Sequence, residues 1–491
     1  MTVDCKMVNE MDFDIIICFE THVELKTETK LFCQCPVRYD VPPNTQICPV
    51  CTGQPGALPV LNRKAVEYAI RAGLALDCSI NTNSRFARKN YFYPDLPKGY
   101  QISQYELPFC ENGQLEIIGD DGLPYVVGIK RIHLEEDAGK LVHSSDSFEE
   151  SDYSLVDYNR SSVPLLEIVA DHERNPIRSI KEAKSYLDKL KQVLTYIEIS
   201  DCMLEKGQFR CDVNVSLRPR GALQFGNRTE IKNMSSFRFI ADALEYEINR
   251  QSDILKTGGQ ISQETRLFDE EQKITLPMRS KEDAPDYRYF PDPDLLQVTI
   301  GRHFIENIEK SMPELPDQKV RRMVAQFDIP ESDVLILTKD RKISEYFGSA
   351  APFCDDKKKL ANWIIKELFK LLNESSMSIE ECRVDPKDFA ELINLISEEQ
   401  ITEKIGRTVL EEMFDKGGKP DTIIQERGLK PIQDEDLLKK MLDEVLAQNP
   451  DVANQIEHGE TKPIDFIIGQ IMKKTRGKAD PKKVRELIIK K

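Results

Sequence analysis

Phe209-Arg210-Cys211-Asp212-Val213-Asn214-Val215-Ser216-Leu217 alternates between apolar and polar residues without a break. A period of two is that of a β-strand, whose successive side chains point to opposite faces. Phe209, Cys211, Val213, Val215 and Leu217 make a face fit for a core; Arg210, Asp212, Asn214 and Ser216 make the other. The same alternation runs through Cys18 to Leu25, with Phe19, Thr21, Val23 and Leu25 on one side and Glu20, His22 and Glu24 on the other. Strands of this kind belong to an antiparallel sheet packed on one face only. Their polar faces have two readings, a wet surface or the wall of a site. Solvated faces usually mix Lys, Thr and Gln, whereas these set carboxylates beside His, Arg and Asn.

A third strand signal, Gly128 to Lys140, ends in the acids Glu135-Glu136-Asp137. Adjacent carboxylates repel unless a cation neutralises them, and magnesium, which takes oxygen ligands, does so well. A solvated turn ahead of Gly139 is the other reading. Between the strands lie two amphipathic helices. Asn175 and Pro176 form a start signal for the first, whose stripe is Ala183, Tyr186, Leu187, Leu190, Val193, Leu194 and Ile197; the second starts near Ser236, with Phe237, Ile240, Leu244 and Ile248 inward.

Beyond Tyr289-Phe290-Pro291-Asp292-Pro293-Asp294, where alternating prolines block regular structure, the composition turns helical. Leu360 to Ile365 opens one helix there, Phe389, Leu392, Ile393 and Ile396 line another, and turns at Lys416–Pro420 and Glu426–Gly428 break the later run. The expected fold is therefore α+β, a mainly antiparallel-sheet domain followed by helices.

Cys33-x-Cys35-x12-Cys48-x2-Cys51 is the most legible local motif. Two close pairs let four thiolates converge on one tetrahedral ion, usually zinc; four unrelated reduced thiols are the alternative. Of the 491 residues, 40% are hydrophobic and 31% charged, as in ordinary globular proteins. No apolar run approaches the ~18 residues that span a bilayer. Met1-Thr2-Val3-Asp4 shows no basic-then-apolar leader, so the expectation is a cytoplasmic protein with reduced cysteines. A net charge of −16 argues against nucleic acid covering the whole surface. The last stretch is nonetheless basic, with Lys473, Lys474, Arg476 and Lys478 among its cations; it reads as a polyanion contact or as a solvated helix face. There is no P-loop and no Gly-x-Ser-x-Gly elbow. Position 2 is Thr2, so a terminal-cysteine glutaminase nucleophile is lacking.

Ala87-Arg88-Lys89-Asn90-Tyr91-Phe92-Tyr93-Pro94-Asp95-Leu96-Pro97-Lys98-Gly99-Tyr100-Gln101-Ile102-Ser103-Gln104 has no regular period and is dense in aromatics and prolines. This stretch resembles the GatB family, the B subunits of the tRNA-dependent Asp/Glu amidotransferases (GatCAB complexes). The resemblance continues in order through Val156–Ser161 with Val163–Ile168, Phe209–Ser216, Thr229–Met234, Arg279–Glu282, Asp286–Asp294, and Gly469–Lys473 with Gly477–Pro481. It covers essentially the whole chain.

The resemblance implies a catalytic cradle domain with a zinc knuckle over 1–295, a helical linker domain over 296–410 and a YqeY-like tail over 411–491. It implies ATP-dependent phosphorylation of the side-chain carboxylate of Glu-tRNA(Gln) or Asp-tRNA(Asn). Ammonia from a glutaminase, the A subunit, would then displace the phosphate, in a heterotrimer completed by a C subunit. Glu20, Glu135, Glu136 and Asp212 would hold magnesium, and His22 would serve as a ligand, hydrogen-bond partner or proton carrier. Lys140, Arg210 and Asn214 would contact phosphate or substrate, and Lys232 has either that role or that of an exposed charge. Cys33, Cys35, Cys48 and Cys51 would hold structural zinc, and Lys473, Lys474, Arg476 and Lys478 would meet the tRNA elbow. Three positions depart from the family pattern: Cys18 and Ser162 stand at glycine positions, and Pro285 at a histidine. They keep open a second reading, a zinc-containing tRNA-binding adaptor with a decayed site.

Overall fold

The computed structural model describes residues 13–143, 153–278, 286–429, 435–457, 462–475, 479 and 481–489. It divides into two compact units, Met1–Leu315 and Pro316–Lys491.

The strands of the first unit are β1 (Phe13–Glu24), β2 (Ser79–Ile80), β3 (Asn83–Ser84), β4 (Ala87–Asn90), β5 (Tyr100–Ser103), β6 (Cys110–Ile118), β7 (Pro124–Glu136), β8 (Lys140–His143), β9 (Ser154–Asp157), β10 (Pro164–Ala170), β11 (Phe209–Pro219), β12 (Thr229–Lys232), β13 (Glu264–Asp269), β14 (Ile274–Pro277), β15 (Phe290–Pro291) and β16 (Val298–Thr299). Nine of them form one sheet in the order β14-β13-β12-β11-β1-β10-β7-β6-β2. Its pairings are antiparallel except for parallel β12 and β13. A smaller sheet, β15-β4-β5, lies against the end of β7, where Ile102 N–H donates to Glu136 Oε1 (2.8 Å) and Gln101 Nε2 to the Glu136 carbonyl (2.8 Å).

One face of the large sheet is closed by α1 (Arg63–Ala75), α2 (Ile180–Tyr196) and α3 (Phe237–Lys256). Phe19, Val23, Val213, Val215, Ile168 and Ile132 point into that interior together with Tyr186, Leu187, Leu190 and Leu244. Phe19 stacks on Tyr186 with ring centroids 5.6 Å apart. Each such side chain removed from water contributes about 1.5–3 kcal/mol, and this one-sided burial fixes the register: a slip by one residue would turn the carboxylates inward.

Each helix starts on a side-chain cap. Asn62 accepts from Lys64 N–H and Ala65 N–H, Ser179 from Glu182 N–H and Ser236 from Phe239 N–H. The expected start of α2 at Asn175–Pro176 is corrected here. Asn175 lies in the left-handed region (φ 54°), and Ile177 bridges to Ile17 at the sheet. Residues 175–178 thus form a non-helical connection that turns at Asn175 and reaches the sheet at Ile177, and the helix waits for Ser179. The helix α4 (Arg302–Lys310) follows the proline-rich stretch yet belongs to the first unit, with Phe304, Ile305 and Ile308 against its core.

The second unit is helical throughout its described residues. Its larger core gathers Trp363, Phe389, Leu392, Ile393, Ile396, Val409 and Met413. Lys357–Trp363 runs through a π-turn at Ile364–Leu368 into Phe369–Ser375. Gly417 (φ 74°) and Gly428 (φ 58°) end helices at the two expected turns. A smaller cluster around Leu438, Leu442, Ile467, Ile471 and Val484 closes the C-terminal helices. No helix among the described residues is long and apolar enough to cross a membrane.

Candidate functional site

Opposite the helices, the sheet carries two rows of polar side chains set by register. Arg210 on β11 faces His22 on β1, which faces Glu167 on β10, which faces His133 on β7. The neighbouring row pairs Asp212 with Glu20, Glu20 with Val169, and Val169 with Arg131. All of these side chains except Val169 line a cleft of about 820 Å³ in the first unit, with Lys89, Tyr91, Ser103, Glu135, Asp137, Arg228, Glu230, Lys232, Tyr287 and Tyr289 among its other walls.

His22, Glu135 and Glu167 bring one nitrogen and two carboxylate oxygens within 4.8 Å of one another. His22 Nε2 is 3.4 Å from Glu135 Oε1 and 3.5 Å from Glu167 Oε2; His133 Nε2 reaches the same Glu167 oxygen at 3.2 Å. Burial works against charge on His22, but the hydrogen bond to Glu167 and the fields of Glu167 and Glu135 outweigh it and lift the imidazole to about 9. Burial likewise pushes Glu167 up, and His133 and His22 more than reverse this, holding its carboxyl well below the usual range. Glu20 shifts upward through burial and then through the charges of Glu167, Glu230 and Asp212. A cluster of this kind, with negative charge crowded and partly dry, gains from a divalent cation.

The candidates from sequence separate in space. Glu20, His22, Glu135, Arg210 and Asp212 line the cleft. Glu136 does not: alternation turns it to the other face of β7. There it is fully buried and held by Lys98 Nζ (2.5 Å), Ser162 Oγ (2.6 Å) and Ile102 N–H (2.8 Å). Three donors hold its carboxylate away from the cleft lining, so its expected place as a magnesium ligand is corrected to that of a buried anchor. Lys140 is exposed on the β8–β9 hairpin, away from the cleft lining. Asn214 lines an adjoining cavity of about 280 Å³ and donates to Glu20 Oε1 at 3.1 Å. Arg210 is tied to Asp137 (3.0 Å), and Lys232 bridges Asp212 (2.6 Å) and Glu230 (3.1 Å).

Sequence reasoning missed Glu167, His133 and three cations. Lys89, Arg131 and Arg228 line the cleft, and none of them has a carboxylate within ion-pair distance among the described residues. Glu167 had a usable signal: it is the lone charge in the otherwise apolar strand Pro164-Leu165-Leu166-Glu167-Ile168-Val169-Ala170. A carboxylate buried that way must have partners.

The four cysteine sulfurs also lie within 4.8 Å of one another and can hold a metal ion. Cys48 N–H points at Cys51 Sγ (3.2 Å), the kind of bond that steadies a thiolate. The loop is fastened to the rest of the first unit by Ser161 Oγ on the Cys51 carbonyl (3.0 Å) and by Asn44 on the Val156 carbonyl (2.9 Å). Gly53 (φ 68°) lets the knuckle close on Lys98; a Cβ there would sit 2.5 Å from Lys98 Cγ. The departures at glycine positions are accommodated. Cys18 is buried, donates to the Ala170 carbonyl at 3.0 Å, and has its thiol pushed up to about 12 by burial and then by Glu20. Ser162 adopts φ 68° while its hydroxyl binds Glu136. Pro285 lies outside the described residues.

In the second unit Lys473 is exposed, and Lys474 pairs with Glu444. Arg476 and Lys478 lie outside the described residues.

Residues 15–306 match the GatB/GatE catalytic domain, and residues 345–491 match the GatB domain. The chain is 50% identical over 480 residues to the B subunit of the aspartyl/glutamyl-tRNA(Asn/Gln) amidotransferase of Thermodesulfovibrio yellowstonii, covering 98% of this chain and 99% of that one. It is 49% identical over 477 residues to the protein of the same name in Carboxydothermus hydrogenoformans (97% and 98% covered), and 50% over 479 residues to that in Syntrophotalea carbinolica (98% of each). Likeness of this depth along nearly the full length, with family domains matched in both compact units, means that the chain belongs to the GatB family.

Proposed function

We propose that this chain is the activating and transamidating component of a tRNA-dependent amidotransferase, acting on Glu-tRNA(Gln), Asp-tRNA(Asn) or both. The esterified amino acid's side-chain carboxylate attacks the γ-phosphorus of ATP, and ADP leaves. Ammonia then attacks the acyl carbon, and inorganic phosphate leaves with the bond to that carbon. The observation that carries this reading is the cleft itself, where carboxylates from adjacent strands face cations that no carboxylate among the described residues pairs with.

Glu135 and Glu167, with Glu20 and Asp212 in the neighbouring row, would hold magnesium. The ion would spread the charge that develops on transferring phosphoryl oxygens. Imidazole is not a favoured magnesium ligand, so His22 serves as the hydrogen-bond donor that orients Glu167. Asn214 orients Glu20 in the same way. Lys89, Arg131 and Arg228 bind phosphoryl oxygens, and Arg210, fixed by Asp137, faces the substrate carboxylate. Cys33, Cys35, Cys48 and Cys51 would hold a structural zinc, since four thiolates leave no open position for chemistry.

Over 1–295 the chain acts as the cradle, over 296–410 as a helical linker, and over 411–491 as a tail whose Lys473, Lys474, Arg476 and Lys478 meet the tRNA elbow through phosphate contacts. Its site of action is the cytoplasm, with the glutaminase partner (GatA) supplying ammonia and the small partner (GatC) completing the heterotrimer.

Reconstitution with those two partners, charged tRNA, ATP, magnesium and free ammonia tests the reading. Amide formed only with ATP is the expected result, abolished by Asp212→Asn with tRNA binding retained. Binding of charged tRNA with neither acyl phosphate nor amide would overturn it in favour of an adaptor.

A further inference from the structure

Four tyrosines from three segments meet at the mouth of the cleft. Tyr105 and Tyr289 stack in parallel, with centroids 4.3 Å apart and an interplanar angle of 7°. Tyr287 meets Tyr289 edge-on at 6.1 Å, and Tyr91 meets Tyr287 edge-on at 6.0 Å. Lys89 places its ammonium 4.8 Å from the Tyr287 ring centre and 6.0 Å from that of Tyr91.

The ladder is held from behind. Asn90 N–H donates to the Tyr287 carbonyl (2.9 Å), and Asn90 Nδ2 donates to the Arg288 carbonyl (2.8 Å). Tyr91, Tyr287 and Tyr289 line the cleft, whereas Tyr105 lies outside its lining and stays 49% exposed. None of the four hydroxyls has a hydrogen-bond partner among the described residues. Rings that serve a core are buried in it; here a rigid stack leads from solvent to the carboxylate rows, with a cation against its inner end.

We infer that this tyrosine ladder is the platform for the unpaired 3′ end of the RNA substrate. The terminal base stacks on the open face of Tyr105, and its aminoacyl ester is directed past Tyr289 into the cleft. The inference rests on the function proposed above and names the surface that would receive its substrate. Stacking on aromatic rings tolerates any base, which suits a 3′ end that all tRNAs share. The base of ATP has other room: the 280 Å³ cavity adjoining the cleft shares Arg228 and Gln263 with it and offers Phe225, Asn214, Ser216 and Asn227.

The test uses the reconstituted complex and a tRNA carrying 2-aminopurine in place of its terminal adenine. Binding to the wild-type complex quenches the fluorescence; Tyr105→Ala abolishes the quench, and Tyr105→Trp restores it. In steady state, Tyr105→Ala raises KM for charged tRNA by about 5- to 100-fold, with kcat and KM for ATP unchanged. A quench that survives Tyr105→Ala overturns the inference, as does a rise in KM for ATP with that for tRNA unmoved, which would give the ladder to the nucleotide. The fluorescence is read on binding alone, so it reports on the ladder even if the complex forms no amide.

Discussion

The knuckle and the cleft each gather side chains that could hold a metal ion, and they do so by opposite routes. In the knuckle the ligands come from one short segment, Cys33 to Cys51, folded back on itself. In the cleft His22, Glu135 and Glu167 come from three strands that are neighbours only in the sheet. The knuckle uses one kind of ligand and closes around it. The cleft mixes carboxylates, imidazoles and cations beside about 820 Å³ of space. A local, saturated set is suited to stability, and a dispersed, unsaturated set to exchanging ligands during a reaction.

Cys51→Ser strikes the knuckle hardest. Cys51 is fully buried and within hydrogen-bonding reach of Cys48. Structural zinc is worth on the order of 10 kcal/mol in small peptides; in a unit held by its own core only part of this appears as stability. Metal analysis should find one zinc per wild-type chain and none in the variant. Melting should fall by roughly 5–10 °C, while residual activity per folded molecule stays close to normal. A variant that keeps its melting temperature but loses turnover would erase the distinction between the two sites.

Lys98→Met acts at the joint between them. Lys98 packs beneath Gly53 of the knuckle and pairs with Glu136, whose side chain is 2% exposed. Removing one partner of a buried ion pair costs about 3–5 kcal/mol, because the other charge is left uncompensated. Denaturant unfolding should show that loss, and adding Glu136→Gln to Lys98→Met should recover much of it. If the double variant is no better than the single one, Glu136 is not a buried anchor held by Lys98.

Glu167→Gln belongs to the cleft alone. It keeps the size of the side chain and removes the charge shared by His22 and His133 (3.5 and 3.2 Å). Activity should fall about 100-fold, the upper range for losing a ligand or its supporting partner. Zinc content and melting should change little, since the His22 imidazole, held charged in part by Glu167, can discharge in response. Wild-type turnover from Glu167→Gln would remove the His22–Glu135–Glu167 cluster from the mechanism.

What could be read in the sequence follows from the same contrast. The cysteine spacing, the alternation of Phe209–Leu217 and the helix stripes are short-range patterns, and each is present in the fold. Glu135 and Glu136 are adjacent in sequence yet on opposite faces, and that separation was implicit in the strand period. Which acids share a site was not legible, because the rows Arg210–His22–Glu167–His133 and Asp212–Glu20 depend on strand order. Lys89, Arg131 and Arg228 escaped because such a cation looks in sequence like any surface charge. The start of α2 was misjudged because Asn175 and Pro176 satisfy the local rule, while the pairing of Ile177 with Ile17 is a long-range fact.

The smallest effect is expected at Ser162, which binds Glu136 next to Ser161, the residue that bonds the knuckle at Cys51. Its backbone is left-handed (φ 68°), a conformation that costs a non-glycine residue roughly 1–2 kcal/mol. Its hydroxyl donates to Glu136 at 2.6 Å, and bonds to charged groups contribute about 1.5–3 kcal/mol. Ser162→Gly removes both terms, so stability should drop by only about 1 kcal/mol. Ser162→Ala removes the hydrogen bond and keeps the strain, so it should be worse than Gly by roughly 1 kcal/mol. Denaturant midpoints of the two variants at equal slope measure that gap. An Ala variant as stable as the Gly variant would mean that the serine backbone is unstrained. The hydroxyl's grip on Glu136 would then no longer account for a serine at a position where the family pattern has glycine.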